Sequence, residues 1–151
     1  MLFAITAHIL AAIIWVGGMF FAYVCLRPSL PGILKPPQPA QLWQAVLGRF
    51  FSWVWGAIIV LFTTGLWMGT TRYGGFLEWP HWLLTMFCLA ITMSVLFMHV
   101  FYAPFKRLQQ ALNSNNLAMA VRSIGQIRRL VGVNLCLGLV VAVVGAAGRY
   151  L

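Results

Sequence analysis

The sequence predicts an all-α integral membrane protein, an antiparallel four-helix bundle that forms one domain over residues 1–151. Three observations carry that fold class. Hydrophobic residues make up 62% of the 151 and charged residues 7%, and Asp and Glu together amount to one residue, Glu78. A soluble surface of this size cannot be covered with so few charges. Four apolar runs each approach the roughly 20 residues that a helix needs to cross a hydrocarbon core of about 30 Å. Finally, the Lys and Arg residues flank these runs and avoid their centres. This is a topology signal and not a nucleic-acid footprint, so the expected environment is a lipid bilayer and no nucleic-acid partner is expected.

The first helix is expected over about residues 2–25. It lacks a basic leading region and a small-residue cleavage site, and is therefore read as a retained helix and not a removed signal peptide. The connection from Leu26 to Gly48 carries five of the seven prolines, Pro36, Pro37 and Pro39 among them, and is predicted to be an irregular loop. The second helix is expected over about 50–71, and the Arg72 to His81 connection turns at Gly74-Gly75. The third helix is expected over about 82–104. Asn113-Ser114-Asn115-Asn116 then supplies helix-capping residues. Leu117, Val121 and Ile124 follow at helical spacing, so helices three and four are expected to extend beyond the membrane as a hairpin. The fourth helix is expected over about 130–148. Inside lipid, each span must satisfy its own backbone groups, which leaves helix as the structure of all four.

Arg27 and Lys35 belong to the first connection, Arg49 directly follows it, and Lys106, Arg107, Arg122, Arg128 and Arg129 belong to the third. Eight of the ten basic residues thus fall at one end of an antiparallel bundle. The positive-inside rule makes that end, with the hairpin, cytoplasmic. Both termini and the Arg72 to His81 connection are then periplasmic, in a multi-pass protein of the bacterial inner membrane.

Ionisable groups within spans are candidates for function, because lipid makes them costly. His8 lies about two turns into the first helix. The third helix runs in the same direction, so Met86 and Cys88 fall at a similar depth and His81 slightly nearer the periplasm. Met93 shares the face of Met86, and Met68 approaches the outer end of the second helix. Imidazole with thioether suits copper, above all Cu(I), and equally the axial positions of a haem iron. The metal- or haem-binding candidates are therefore His8, His81, Met86 and His99. His99 is alternatively part of a cytoplasmic-side polar cluster with Arg49, Tyr102 and Asn134 that fixes helix packing. Arg72 and Arg149, each followed by Tyr, read as interfacial anchors or as partners for haem propionates, and Trp15 as a rim residue of the same space. Gly17, Gly18, Gly65, Gly138 and Gly145 either allow close helix approach or leave room for a planar ligand. Cys25, Cys88 and Cys136 form no C-x-x-C pair and read as buried free thiols.

The run from His8 through Trp15, Gly17, Gly18 and Phe20, followed by Arg49-Phe50 and Thr64-Gly65, resembles the CopD family of copper-resistance membrane proteins. Arg128-Arg129-Leu130-Val131 and Asn134 to Gly138 resemble the last helix of its short, single-domain members. The His, Trp and Gly spacing of the first helix is also similar to that of HemJ-type protoporphyrinogen oxidases, in which the histidine is implicated in binding haem b. That family carries a lysine four residues after a tryptophan at the start of the third helix; here Trp82 is followed at that spacing by Met86.

The resemblance to CopD implies copper handling through a periplasm-side site of His8, His81 and Met86, with a copper ion as cargo. The alternative is a b-type haem protein with His8 as axial ligand, which as an enzyme would be a membrane oxidoreductase. The second alternative is a metal-free scaffold subunit. A periplasmic copper donor or redox partner, and a homo-oligomer, complete the expected partners. The spans carry no carboxylate, and neither a proton-coupled carrier of the acidic type nor a hydrolase can be assembled.

Overall fold

The computed structural model describes residues 1–150, the side chain of Arg149 excepted. Four helices, each long and apolar enough to cross a membrane, make up the architecture: α1 (Leu2–Ser29), α2 (Gln38–Tyr73), α3 (His81–Asn113) and α4 (Leu117–Ala147). The chain is a multi-pass membrane protein.

Close contacts fix the register, and they run antiparallel throughout. Gly18 meets Phe50 and Gly65 meets His8 between α1 and α2. Gly145 meets Met86 and Gly148 meets Trp82 between α3 and α4. Tyr23 packs on Gly132 and Val16 on Gly138, which brings α4 back beside α1 and closes the bundle. Phe51 of α2 reaches Phe97, Phe101 and Phe105 of α3, with ring centroids 5.4, 6.0 and 4.9 Å away. One end of the bundle carries the short connection between α2 and α3, here called the turn end. The other carries eight basic residues, Lys35 in the α1–α2 connection and Arg27, Arg49, Lys106, Arg107, Arg122, Arg128 and Arg129 within the helices, and is here called the basic end.

The proline-rich connection is shorter than expected. Helix α2 already begins at Gln38 and runs for 36 residues, about 54 Å at the rise of an α-helix. Pro39 does not prevent this, because it occupies the first turn, where its missing N–H has no helical partner to lose. Helix α1 likewise continues to Ser29 through Pro28. A widened π turn over Phe21–Leu26 precedes that proline, and another over Phe101–Phe105 contains Pro104 in α3. Such turns accommodate the displaced carbonyl and lost donor that a proline imposes on a helix.

At the turn end, Gly74 takes a positive φ of 81° after Tyr73, and a 3₁₀ turn over Phe76–Glu78 leads to Pro80 and α3. Trp79 folds back beneath this turn, donates from Nε1 to the Gly74 carbonyl at 3.4 Å and lies against Gly69. At the basic end, α3 and α4 form the expected hairpin. Asn115 adopts φ 52°, and Asn116 caps α4 by accepting from the Met119 N–H at 3.0 Å.

Candidate functional site

His8 points from α1 into the seam with α2. Its Nδ1 lies 2.8 Å from Oγ1 of Thr64, and the Thr64 hydroxyl donates its proton to the carbonyl of Val60 one turn earlier in α2. A hydroxyl has one proton to give. With that proton committed to Val60, the Thr64 oxygen accepts from Nδ1–H of His8. This arrangement favours the Nδ1–H tautomer, in which Nε2 carries the lone pair. Gly65 makes this approach feasible: a Cβ there would stand 3.2 Å from Cε1 of His8. Alanine at residue 65 would press on the ring, which would have to give by a few tenths of an ångström.

Met86 is half-buried and packs against Gly145 of α4. His81 is exposed at the head of α3, and Cys88 is exposed on its outer surface. Met68 is four residues after Thr64, hence on the same face of α2 one turn nearer the turn end, and half-buried. Among the described residues, no group of three or more His, Cys, Asp or Glu side chains converges on one point.

Trp15 is 2% exposed and packs edge-on to Phe97 at 6.3 Å in the centre of the bundle. Arg72 is exposed at the turn end with its guanidinium 6.0 Å from the Tyr73 ring. The Arg149 side chain lies outside the described residues. The glycines read as either packing sites or room for a planar ligand serve packing in most cases. The space at Gly18 is taken by Phe50, at Gly65 by His8, at Gly138 by Val16 and Met93, and at Gly145 by Met86, while Gly17 faces open space.

The polar cluster expected towards the basic end is split. Asn134 is buried, and its Oδ1 has no hydrogen-bond partner among the described residues. With Trp15, Met19 and Phe51 it lines a cavity of about 20 Å³. Arg49, His99 and Tyr102 are exposed instead. The phase of α3 explains this: Phe97, Val100 and Pro104 turn inward, so His99 faces away from them. The three cysteines, expected to be buried, are likewise exposed. On a helix in lipid the outer surface is as apolar as the interior, and a thiol gains little from turning inward.

Thr64 was visible in the sequence only as part of a Thr-Gly pair with no assigned role. That pair was the available signal: a hydroxyl and a missing side chain, adjacent on one helix at the depth of an intramembrane histidine.

A family model described as CopD, copper resistance protein D, matches residues 44–147. The matched span includes Thr64, Gly65, Met68 and all of α3, while His8 and Trp15 precede it. No curated protein and no solved structure matches the chain.

Proposed function

The chain belongs to the CopD family, a family of membrane proteins related to copper resistance, and from that premise we propose that it handles copper ions at a site built around His8. The observation that carries the proposal is the hydrogen bond from His8 to Thr64. It orients an intramembrane imidazole and leaves Nε2 free as a ligand. Imidazole binds copper, and thioether selects Cu(I). His81, exposed at the turn end, offers the first imidazole to an arriving ion, and Met68 a soft donor one turn outward from the level of Thr64. Copper is cargo here. A site with so few strong ligands suits transfer between partners, whereas structural metal sites close a full ligand set around the ion.

The basic end faces the cytoplasm of a bacterial inner membrane by the positive-inside rule. The His8 seam then opens towards the periplasm, where a copper donor would dock.

The test is to load purified protein with Cu(I) under reducing conditions and to measure retained copper and the absorption spectrum. Wild type is expected to retain copper that His8→Ala loses. A Soret band in the wild type that disappears in His8→Ala would replace copper handling with haem b binding. Wild type that retains no copper and shows no Soret band would leave a metal-free scaffold, and copper retained equally by His8→Ala would remove the site from His8.

A further inference from the structure

At the basic end, α1, α2 and α4 diverge around a groove with a cavity of about 270 Å³. Tyr23, Arg27, Leu34, Trp43, Arg128 and Val131 are among its lining residues. The lining residues are aliphatic and aromatic apart from Arg27, Arg128, which is exposed, and the phenol of Tyr23. Arg27 is half-buried and sits over the Tyr23 ring, 5.3 Å from its centroid. Tyr23 is itself wedged against Gly132 of α4. One arginine is therefore held in place by packing before any ligand arrives.

Neither arginine has an acidic partner to expect from its own chain. The sole acidic side chain, Glu78, belongs to the 3₁₀ turn at the opposite end of the bundle. Two guanidinium groups beside an apolar groove, in a chain of net charge +9, select an amphiphile with an anionic head.

The depth of the groove identifies the class of amphiphile. Arg27 and Arg128 stand where the apolar runs give way to the basic stretches, two residues from Cys25 and Leu130. This is headgroup level in a bilayer, where phosphate is the prevailing anion, and basic pockets between membrane helices take anionic lipid headgroups. The cavity is smaller than the roughly 300–1,000 Å³ that enclose a drug-sized ligand. It accommodates a length of acyl chain whose remainder stays in the bilayer.

We propose that this groove binds one anionic phospholipid, with its phosphate between Arg27 and Arg128 and an acyl chain running inward along Tyr23, Leu47 and Val131. The proposal does not depend on copper handling. A lipid held there would bridge α1, α2 and α4 at the end of the bundle where α1 and α2 are joined by a non-helical connection.

The experiment is native mass spectrometry of the full chain released from nanodiscs that contain equal amounts of phosphatidylglycerol and phosphatidylcholine with matched acyl chains. Wild type is expected to retain one phosphatidylglycerol in preference to phosphatidylcholine. Arg27→Gln combined with Arg128→Gln is expected to lower that preference by about fivefold per arginine. Lys106→Gln combined with Arg107→Gln makes the same change of charge at the same end but outside the groove, and is expected to keep the preference. Equal retention of the two lipids by wild type would overturn the proposal. So would an equal loss in the two double variants, because the attraction would then be diffuse. Displacement of the retained lipid by inorganic phosphate at millimolar concentration would also overturn it, since the groove would then be a small-anion site. Unchanged circular dichroism in both variants confirms that the comparison is between folded proteins.

Discussion

The two halves of this bundle are packed by different means. Towards the basic end, large side chains fill the interior: Trp15, Met19, Phe51, Phe97, Phe105 and Leu108 are each at most 4% exposed. Phe51 sits at the centre, in edge contact with three rings of α3. Towards the turn end the buried residues are few and mostly small, Ala4, Ala11, Gly69 and Gly148 with Trp79 as the exception. There the seam between α1 and α2 is held by a polar pair, His8 and Thr64. In lipid, helices associate through close packing and interhelical hydrogen bonds, not through a hydrophobic drive. One half uses the first means and the other uses the second. The half with the looser, polar seam is the one in which a ligand atom can be presented without dismantling the fold.

The difference can be broken most forcefully in the aromatic half. Phe51→Ala removes the ring shared by Phe97, Phe101 and Phe105 and is expected to destabilise the bundle by about 3–5 kcal/mol. Denaturant titration in detergent should show the loss, while copper bound per folded molecule should stay at the wild-type level. A parallel loss of copper would mean that the halves are not independent.

The polar half is probed by Thr64→Val, which keeps the shape and removes the acceptor of the His8 proton. Copper affinity is expected to fall about 10- to 100-fold, the usual effect of losing a residue that orients a ligand histidine, against about 1 kcal/mol of stability. Thr64→Ser should restore most of the affinity. Competition with a chelator of known copper affinity measures both.

Asn134 is a polar residue in the wrong half. Its buried Oδ1 has no partner among the described residues, so Asn134→Leu is expected to raise stability by about 1 kcal/mol, because an unsatisfied acceptor is removed. A loss of stability in the same titration would show that the amide is hydrogen-bonded in solution.

The smallest effect is expected from His99→Ala. The side chain is exposed on the outside of α3, and stability should change by no more than about 0.5 kcal/mol. A larger change, or a loss of bound copper, would place function in the packed half.

The helix ends were less legible than the spans. Helix α2 starts at Gln38 and not near Phe50, because Gln38, Gln41 and Gln44 outside the apolar run give no membrane signal and Pro39 reads as a breaker when it is a helix starter. The hairpin of α3 and α4 was legible because Asn116 is a side-chain cap followed by helical spacing. The candidate site was legible in part. An imidazole inside a span is conspicuous in any sequence, and the depth of His8 follows from the rise per residue. Met86 matched that depth equally well, yet it turns to Gly145 of α4.

The sequence by itself determined the fold class, the family and the end of the bundle at which positive charge gathers. Each of these depends on composition and on position along a helix axis. The tertiary structure decided rotation about those axes: His8 towards Thr64, Asn134 into the interior, and His99 and the cysteines outward. In a water-soluble bundle an apolar stripe would have announced those rotations. In lipid the outer face is as apolar as the core, so the sequence carries little azimuthal signal, and only the packing of Phe50, Phe51, Tyr23 and Met86 against their neighbours sets how each helix is turned.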